Sequence, residues 1–167
     1  MRIYLIGPMG SGKSKIGKLL ASALNFSLVD IDKDIEKEFK KSIVEIFEVE
    51  GEEGFRAKES IFLGELSSES NTIISTGGGV IEKSINREIL KNEKFVVFLS
   101  ASVEKQYLST KDSDKRPLLN NGDSRKVLEN LYAKRFDLYQ MVAKLELNGD
   151  QLSNDEIVEK IINFIND

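Results

Sequence analysis

A three-layer α/β/α fold around a central five-stranded parallel sheet is what this sequence predicts, on three observations. Short apolar runs of strand length alternate with helical stretches, the pattern of a parallel sheet covered on both faces. The first run, Arg2-Ile3-Tyr4-Leu5-Ile6, passes directly into Gly7-Pro8-Met9-Gly10-Ser11-Gly12-Lys13-Ser14, a G-x-x-x-x-G-K-S loop between a strand and an amphipathic helix. The length of 167 residues suits one domain, so residues 1–167 read as a single unit.

Taken in order, the first strand covers residues 3–6 and the helix behind the loop residues 13–24. A second strand at 26–29 leads into helical segments at 33–40, 43–50 and 52–66. The third strand, 72–75, ends in Ser75-Thr76-Gly77-Gly78-Gly79, and a helix follows at 83–91. The fourth strand, 95–99, precedes a short helix at 103–108; a long helix at 124–141 precedes the last strand, at 144–147. The tail, 154–165, sets Ile157, Ile161 and Phe164 with Val158, Ile162 and Ile165 on one stripe. A membrane surface or the sheet could take that stripe; the opposite face lacks a basic cluster, which favours the sheet. Residues 109–123 are polar, turn-rich and carry one of the two prolines, so a mobile lid is expected there.

Composition narrows the chemistry. The net charge of −4 and a pI near 5.1 argue against a nucleic-acid partner held by bulk electrostatics. With no cysteine there are no disulfides or thiolate metal sites, and with no histidine proton transfer falls to Asp, Glu, Lys or Tyr. No apolar run approaches membrane-spanning length and no leader pattern opens the chain; no membrane partner, a cytoplasmic location and a monomer are the expectations.

The glycine-rich loop folds its N–H groups around a phosphate, and the next helix adds its positive N-terminus. Gly10, Ser11, Gly12, Lys13, Ser14 and Lys15 are read as this cradle, for ATP. Lys13 reaches the β- and γ-phosphates and the Ser14 hydroxyl ligates Mg²⁺. After the second strand comes Asp30-Ile31-Asp32. While the backbone stays extended, the two carboxylates share a face; one of them alone would read as a helix cap. Both lie where ligands bind in open α/β sheets. Asp30 becomes the magnesium-side carboxylate, through water, because 74–76 and 98–100 offer no acid, and Asp32 is free to take a proton from a substrate hydroxyl. Three consecutive glycines mark backbone passing close to something, either a tight turn or a ligand. Arg56 with Glu59 three positions on, Lys115-Arg116 and Lys134-Arg135 each read singly as surface charge.

Together these pieces resemble the shikimate kinase family, of the nucleoside-monophosphate-kinase-like P-loop kinases. The resemblance rests on Gly7–Ser14, the Asp30/Asp32 pair, Ser42-Ile43-Val44-Glu45-Ile46-Phe47, Gly51-Glu52 with Phe55-Arg56 and Glu59, the triple glycine, Arg116-Pro117-Leu118-Leu119, and Arg135 with Leu138-Tyr139. It spans about residues 3–143 and implies transfer of the γ-phosphoryl of ATP to the 3-hydroxyl of shikimate, with Mg²⁺. Carried over by position, Asp32 binds the reacting hydroxyl as general base. Arg56 and Arg135 clamp the substrate carboxylate, and Gly78 offers it a backbone N–H. Arg116 closes with the lid and stabilises the transferring group, Lys13 serves ground and transition states, and Phe47 and Phe55 wall the ring pocket. The substrate-binding helical region is placed at about 31–66.

Two departures stand out. Lys15 replaces a small residue, and no arginine lies between Arg87 and Arg116, which leaves the adenine contact to Lys111 or aliphatic neighbours. A GTPase would need D-x-x-G and N-K-x-D signatures; a gluconate-type kinase would carry a histidine and proline near the Asp pair. An adenylate-kinase relative would not explain Gly-Glu-x-x-Phe-Arg, and a module without transfer would not keep Lys13, Ser14, Asp30, Asp32 and Arg116 together.

Overall fold

The computed structural model describes residues 1–66, 70–111, 117–119 and 123–167. β1 (Arg2–Ile6), β2 (Ser27–Asp30), β3 (Thr72–Ser75), β4 (Val96–Ser100) and β5 (Leu145–Asn148) form one parallel sheet in the order β2-β3-β1-β4-β5. The chain leaves β1 for β2 and β3 on one side, then crosses back to β4 on the other. The loop after β1 therefore opens where the strand order reverses, the crevice in which open α/β sheets bind ligands.

Residue alternation divides the core into two layers. Ile3 and Leu5 of β1, with Ile73, Val97 and Leu99, face α1 (Lys13–Leu24) and α7 (Asn154–Asn166). Tyr4 and Ile6, with Ile74, Val96 and Phe98, face α2 (Ile31–Phe39), α3 (Ile43–Glu65), α4 (Ser84–Lys91) and α6 (Ser124–Val142). The remaining helix, α5 (Val103–Thr110), follows β4 and packs on α6. The tail stripe docks on the sheet: Ile157, Ile161 and Ile165 are buried, and Phe164 meets Phe95 edge-on at 5.7 Å between centroids. Each buried isoleucine contributes about 1.5–3 kcal/mol, and a Ser153/Glu156 capping box starts the helix. Among the described residues no helix is long and apolar enough to cross a membrane.

The two helices expected at 43–50 and 52–66 run end to end as α3, broken at Gly51, whose φ of 70° and ψ of 179° are open only to glycine. The break redirects the second half so that Phe55, Arg56, Glu59 and Leu63 are buried. One expectation fails. β2 ends at Asp30 and α2 starts at Ile31 rather than at residue 33, so Asp32 lies in a first helical turn and not on extended backbone. The cause is the buried pair Ile31 and Ile35, which bring one face of the first turn onto the sheet.

Candidate active site

The phosphate loop is framed by backbone geometry. Gly12 is the N-cap of α1 at φ 95°, a left-handed conformation with nothing within 4 Å of where a Cβ would stand, so glycine is required for its dihedral and not for space. Lys13 is buried, and its Nζ donates to the carbonyls of Gly7 and Pro8 at 2.8 Å each, lying across the mouth of the loop. Ser14 Oγ donates to Asp30 Oδ2 at 2.8 Å and lies 3.5 Å from Ser75 Oγ. Asp30 occupies the N-cap position of α2 without making a side-chain cap bond, which sets aside the helix-capping role. Gly10, Gly12, Lys13, Ser14, Lys15, Asp30 and Asp32 line one cleft of about 680 Å³. Ser11 is buried beneath it with a hydroxyl that has no partner among the described residues, and Lys15 is exposed on the helix.

A second cleft, about 440 Å³, adjoins the first. Asp32, Phe47, Phe55, Arg56, Gly78 and Arg135 line it, with Pro117 and Leu118 at its rim. Asp32, Gly78 and Met9 line both clefts and form the boundary between them. Phe47 and Phe55 pack 5.0 Å apart, serving as pocket wall and as core together.

Both arginines of this second cleft are buried and held by carboxylates. Arg56 donates from Nη1 to Glu59 Oε2 at 2.8 Å and from Nε and Nη2 to Glu52 Oε1 at 3.4 and 3.2 Å. Arg135 donates from Nε and Nη2 to Glu82 Oε1 at 2.8 and 2.5 Å, and Lys134 reaches Glu82 Oε2 at 2.6 Å. Neither arginine belongs to a solvated helix face, which corrects their reading, taken singly, as surface charge; Lys134 beside Arg135 is exposed.

Glu59 is fully buried. Burial pushes its carboxyl up to about 7, Arg56 opposes that rise, and the neighbouring Asp32 adds to it. Its second oxygen, Oε1, has no hydrogen-bond partner among the described residues. Burial also tends to raise Glu82, but the hydrogen bond from Lys134 and the charge of Arg135 outweigh it and hold the carboxyl below its ordinary value. Tyr139 stacks on Phe98 at 4.9 Å and donates from its hydroxyl to the Gly78 carbonyl; burial pushes its phenol up, so it stays a donor.

The triple glycine is explained by space. A Cβ on Gly79 would stand 2.1 Å from Arg56 Nη2, and one on Gly77 would stand 2.4 Å from Glu59 Oε1 and 2.8 Å from Asp32 Oδ1. The close approach expected there is made by the side chains of the site itself.

The sequence assigns no role to Glu82, Glu52 enters only as part of the Gly-Glu-x-x-Phe-Arg motif, and taken singly Arg56 and Glu59 read as a surface pair. A signal for Glu59 existed, since it falls on the i, i+4, i+8 stripe with Phe55 and Leu63, where a carboxylate must be buried. Glu82 carries no such signal. The lid expected at 109–123 is described only at 109–111, 117–119 and 123, and Arg116 lies outside the described residues. Within the described part, Leu119 packs with Met9 and Leu128 beneath the loop.

A parallel sheet with a phosphate loop at its switch point, opening beside a second buried pocket, defines a P-loop kinase, a protein that draws on ATP for a phosphoryl group. The fold is shared with deoxyadenosine kinase from M. mycoides with bound dATP, at a TM-score of 0.65 and 16% identity, covering 100% of both chains. The chain belongs to the shikimate kinase family, whose model matches residues 9–166. Shikimate kinase of Histophilus somni is 43% identical over 164 residues, 98% of this chain and 94% of that protein. Shikimate kinase from Acinetobacter baumannii, solved in complex with shikimate, superposes with a TM-score of 0.94 at 39% identity, over 98% of this chain and 92% of that one.

Proposed function

We propose that this protein transfers the γ-phosphoryl of ATP to the 3-hydroxyl of shikimate, giving shikimate 3-phosphate and ADP. The observation that carries this reading is the shared boundary. Asp32 and Gly78 line both the phosphate cleft and the arginine-floored pocket, so a phosphate held in one lies beside a hydroxyl held in the other. Shikimate is a small carboxylate ringed by hydroxyls, and the second pocket offers two guanidinium groups for the acid and two phenylalanines for the ring.

The family resemblance supports the following roles. Gly10, Ser11, Gly12 and Lys13 cradle the phosphates, with Lys15 on the exposed helix beside them, and Arg116, outside the described residues, stabilises the transferring group. Lys13 exchanges its carbonyl partners for phosphate oxygens and remains with the transferring group. Asp32 accepts the hydroxyl proton as the oxygen attacks phosphorus. Arg56, Arg135 and the Gly78 N–H fix the acid so that the 3-hydroxyl points at the boundary. The oxygen pair Ser14 Oγ and Asp30, 2.8 Å apart, suits a hard cation that keeps several waters, and these two residues would hold Mg²⁺. When bound there, Mg²⁺ would neutralise charge on the phosphates. One domain over residues 1–167, acting as a cytoplasmic monomer on small molecules alone, completes the reading.

A coupled ADP-release assay with Mg-ATP, comparing shikimate, gluconate, AMP and no acceptor, tests it. Turnover with shikimate alone is the expected result. Turnover with another acceptor and none with shikimate would keep the ATP site and overturn the acid pocket.

A further inference from the structure

Arg135 leans on Glu82, and Glu82 rides on a turn with little support of its own. Residues Val80–Glu82 make a single 3-10 turn leaving Gly79, and Lys83 returns to extended backbone, at φ −78° and ψ 131°, before α4 begins. The carbonyls of so short a helix have no following turn to supply N–H groups. Two side chains from α4 take all three. Asn86 Nδ2 donates to the Val80 carbonyl at 2.8 Å, and Arg87 Nη1 donates to the Ile81 and Glu82 carbonyls at 2.7 Å each. Asn86 is fully buried and Arg87 half-buried, and neither lines the acid pocket. The chain of contacts runs from α4 through the turn to Glu82, and from Glu82 to the Nε–Nη2 edge of Arg135 on α6.

We propose that Arg87, with Asn86, is a positioning residue for recognition of the substrate carboxylate: it fixes the turn that bears Glu82, and Glu82 sets the orientation of the Arg135 guanidinium in the acid pocket. The inference rests on the assignment of Arg135 to the shikimate carboxylate. Arg87 does not touch the phosphate cleft, so its loss acts on acid binding and leaves nucleotide binding alone. Lysine at this position keeps the charge and a donor while losing the planar fork, so it restores part of the function.

Steady-state kinetics of Arg87→Met and Arg87→Lys provide the test, with Arg135→Ala as reference. Arg87→Met is expected to raise KM for shikimate roughly tenfold, the size that follows when a charge-assisted contact is loosened rather than removed. The KM for ATP and kcat stay within about twofold, and Arg87→Lys recovers part of the loss. The uncharged methyl ester of shikimate supplies a readout that a merely structural role would not move. The preference for acid over ester shrinks in Arg87→Met, because the clamp is what reads the charge. Glu82→Gln, which leaves the bonds of the turn in place, repeats the effect on shikimate KM should Arg87→Met fold poorly. An unchanged shikimate KM, or equal rises in KM for both substrates with the acid-to-ester ratio intact, would overturn the proposal. If Arg135→Ala itself leaves shikimate KM unchanged, it is the assignment of the clamp that fails, and the Arg87 proposal falls with it.

Discussion

Most of the phosphate cleft comes from one loop and the helix that follows it, with Asp30, Asp32 and Thr76 added from other elements, and at Gly12 its demand is on a dihedral angle. Gly12 sits at φ 95° with open space around it. The acid pocket draws on α2, α3, the turn after β3, and α6, and its demands are on volume and charge. Gly79 has an ordinary φ of −98° and no room for one more carbon, because Arg56 fills it. A phosphate presents the same oxygens wherever it occurs, so a short loop of N–H groups and one lysine recognise it. A particular acid must be held by its charge and ring in one orientation. That requires buried guanidinium groups, and each must have a carboxylate beside it to be buried at all.

The largest expected effect lies on the boundary between the two. Asp32→Asn removes the proton acceptor while keeping the shape, so kcat falls by about 10²–10⁴ and ATP affinity by calorimetry stays within about threefold. Near-normal turnover would mean that the clefts meet at some other residue.

Next come the two arginines, which differ in what they leave behind. Arg56→Ala strands Glu59, a fully buried carboxyl, so the variant loses acid binding and about 3–5 kcal/mol of stability by urea titration. Arg135→Ala leaves Glu82 with Lys134 as partner, so shikimate KM rises by roughly 10–100-fold while stability changes less. A rise in the KM for ATP alone, in either variant, would place the arginines on the phosphate side.

The glycines separate the two modes of construction further. Gly79→Ala pushes the Arg56 guanidinium aside and raises shikimate KM about tenfold, with ATP binding unaffected. Gly12→Ala meets no atom but is strained by its dihedral at a cost of about 1–2 kcal/mol, and it weakens ATP instead. The same single carbon, added in two places, should therefore act on different substrates.

A further comparison concerns protons. In the unfolded chain Glu59 ionises near 4.5; in the fold, burial delays this to about 7. Between those values the unfolded chain has released a proton that the folded protein keeps, so raising pH across this window drains stability, and above it the loss is complete. Urea midpoints at pH 5 and pH 8 should fall more in the native protein than in Glu59→Gln. Equal slopes would show that Glu59 is ionised throughout, its charge carried by Arg56.

The parallel sheet, its covering by helices on both faces and the phosphate loop were legible in the residues alone, because alternating burial and a contiguous loop are written in neighbouring positions. Asp32 and the triple glycine stood out by their place at the strand ends, whereas Arg56 and Arg135 gained a role only through the resemblance to a family. What holds them came with the fold. It started α2 early enough to put Asp32 in a helical turn, buried the Arg56–Glu59 pair that spacing alone reads as solvated, and set Glu82 beneath Arg135 across 53 positions of sequence. The physical reason is that an ion pair on a helix looks the same in sequence at any depth. Its depth, and so its strength and its protonation, is fixed only when the other elements close over it.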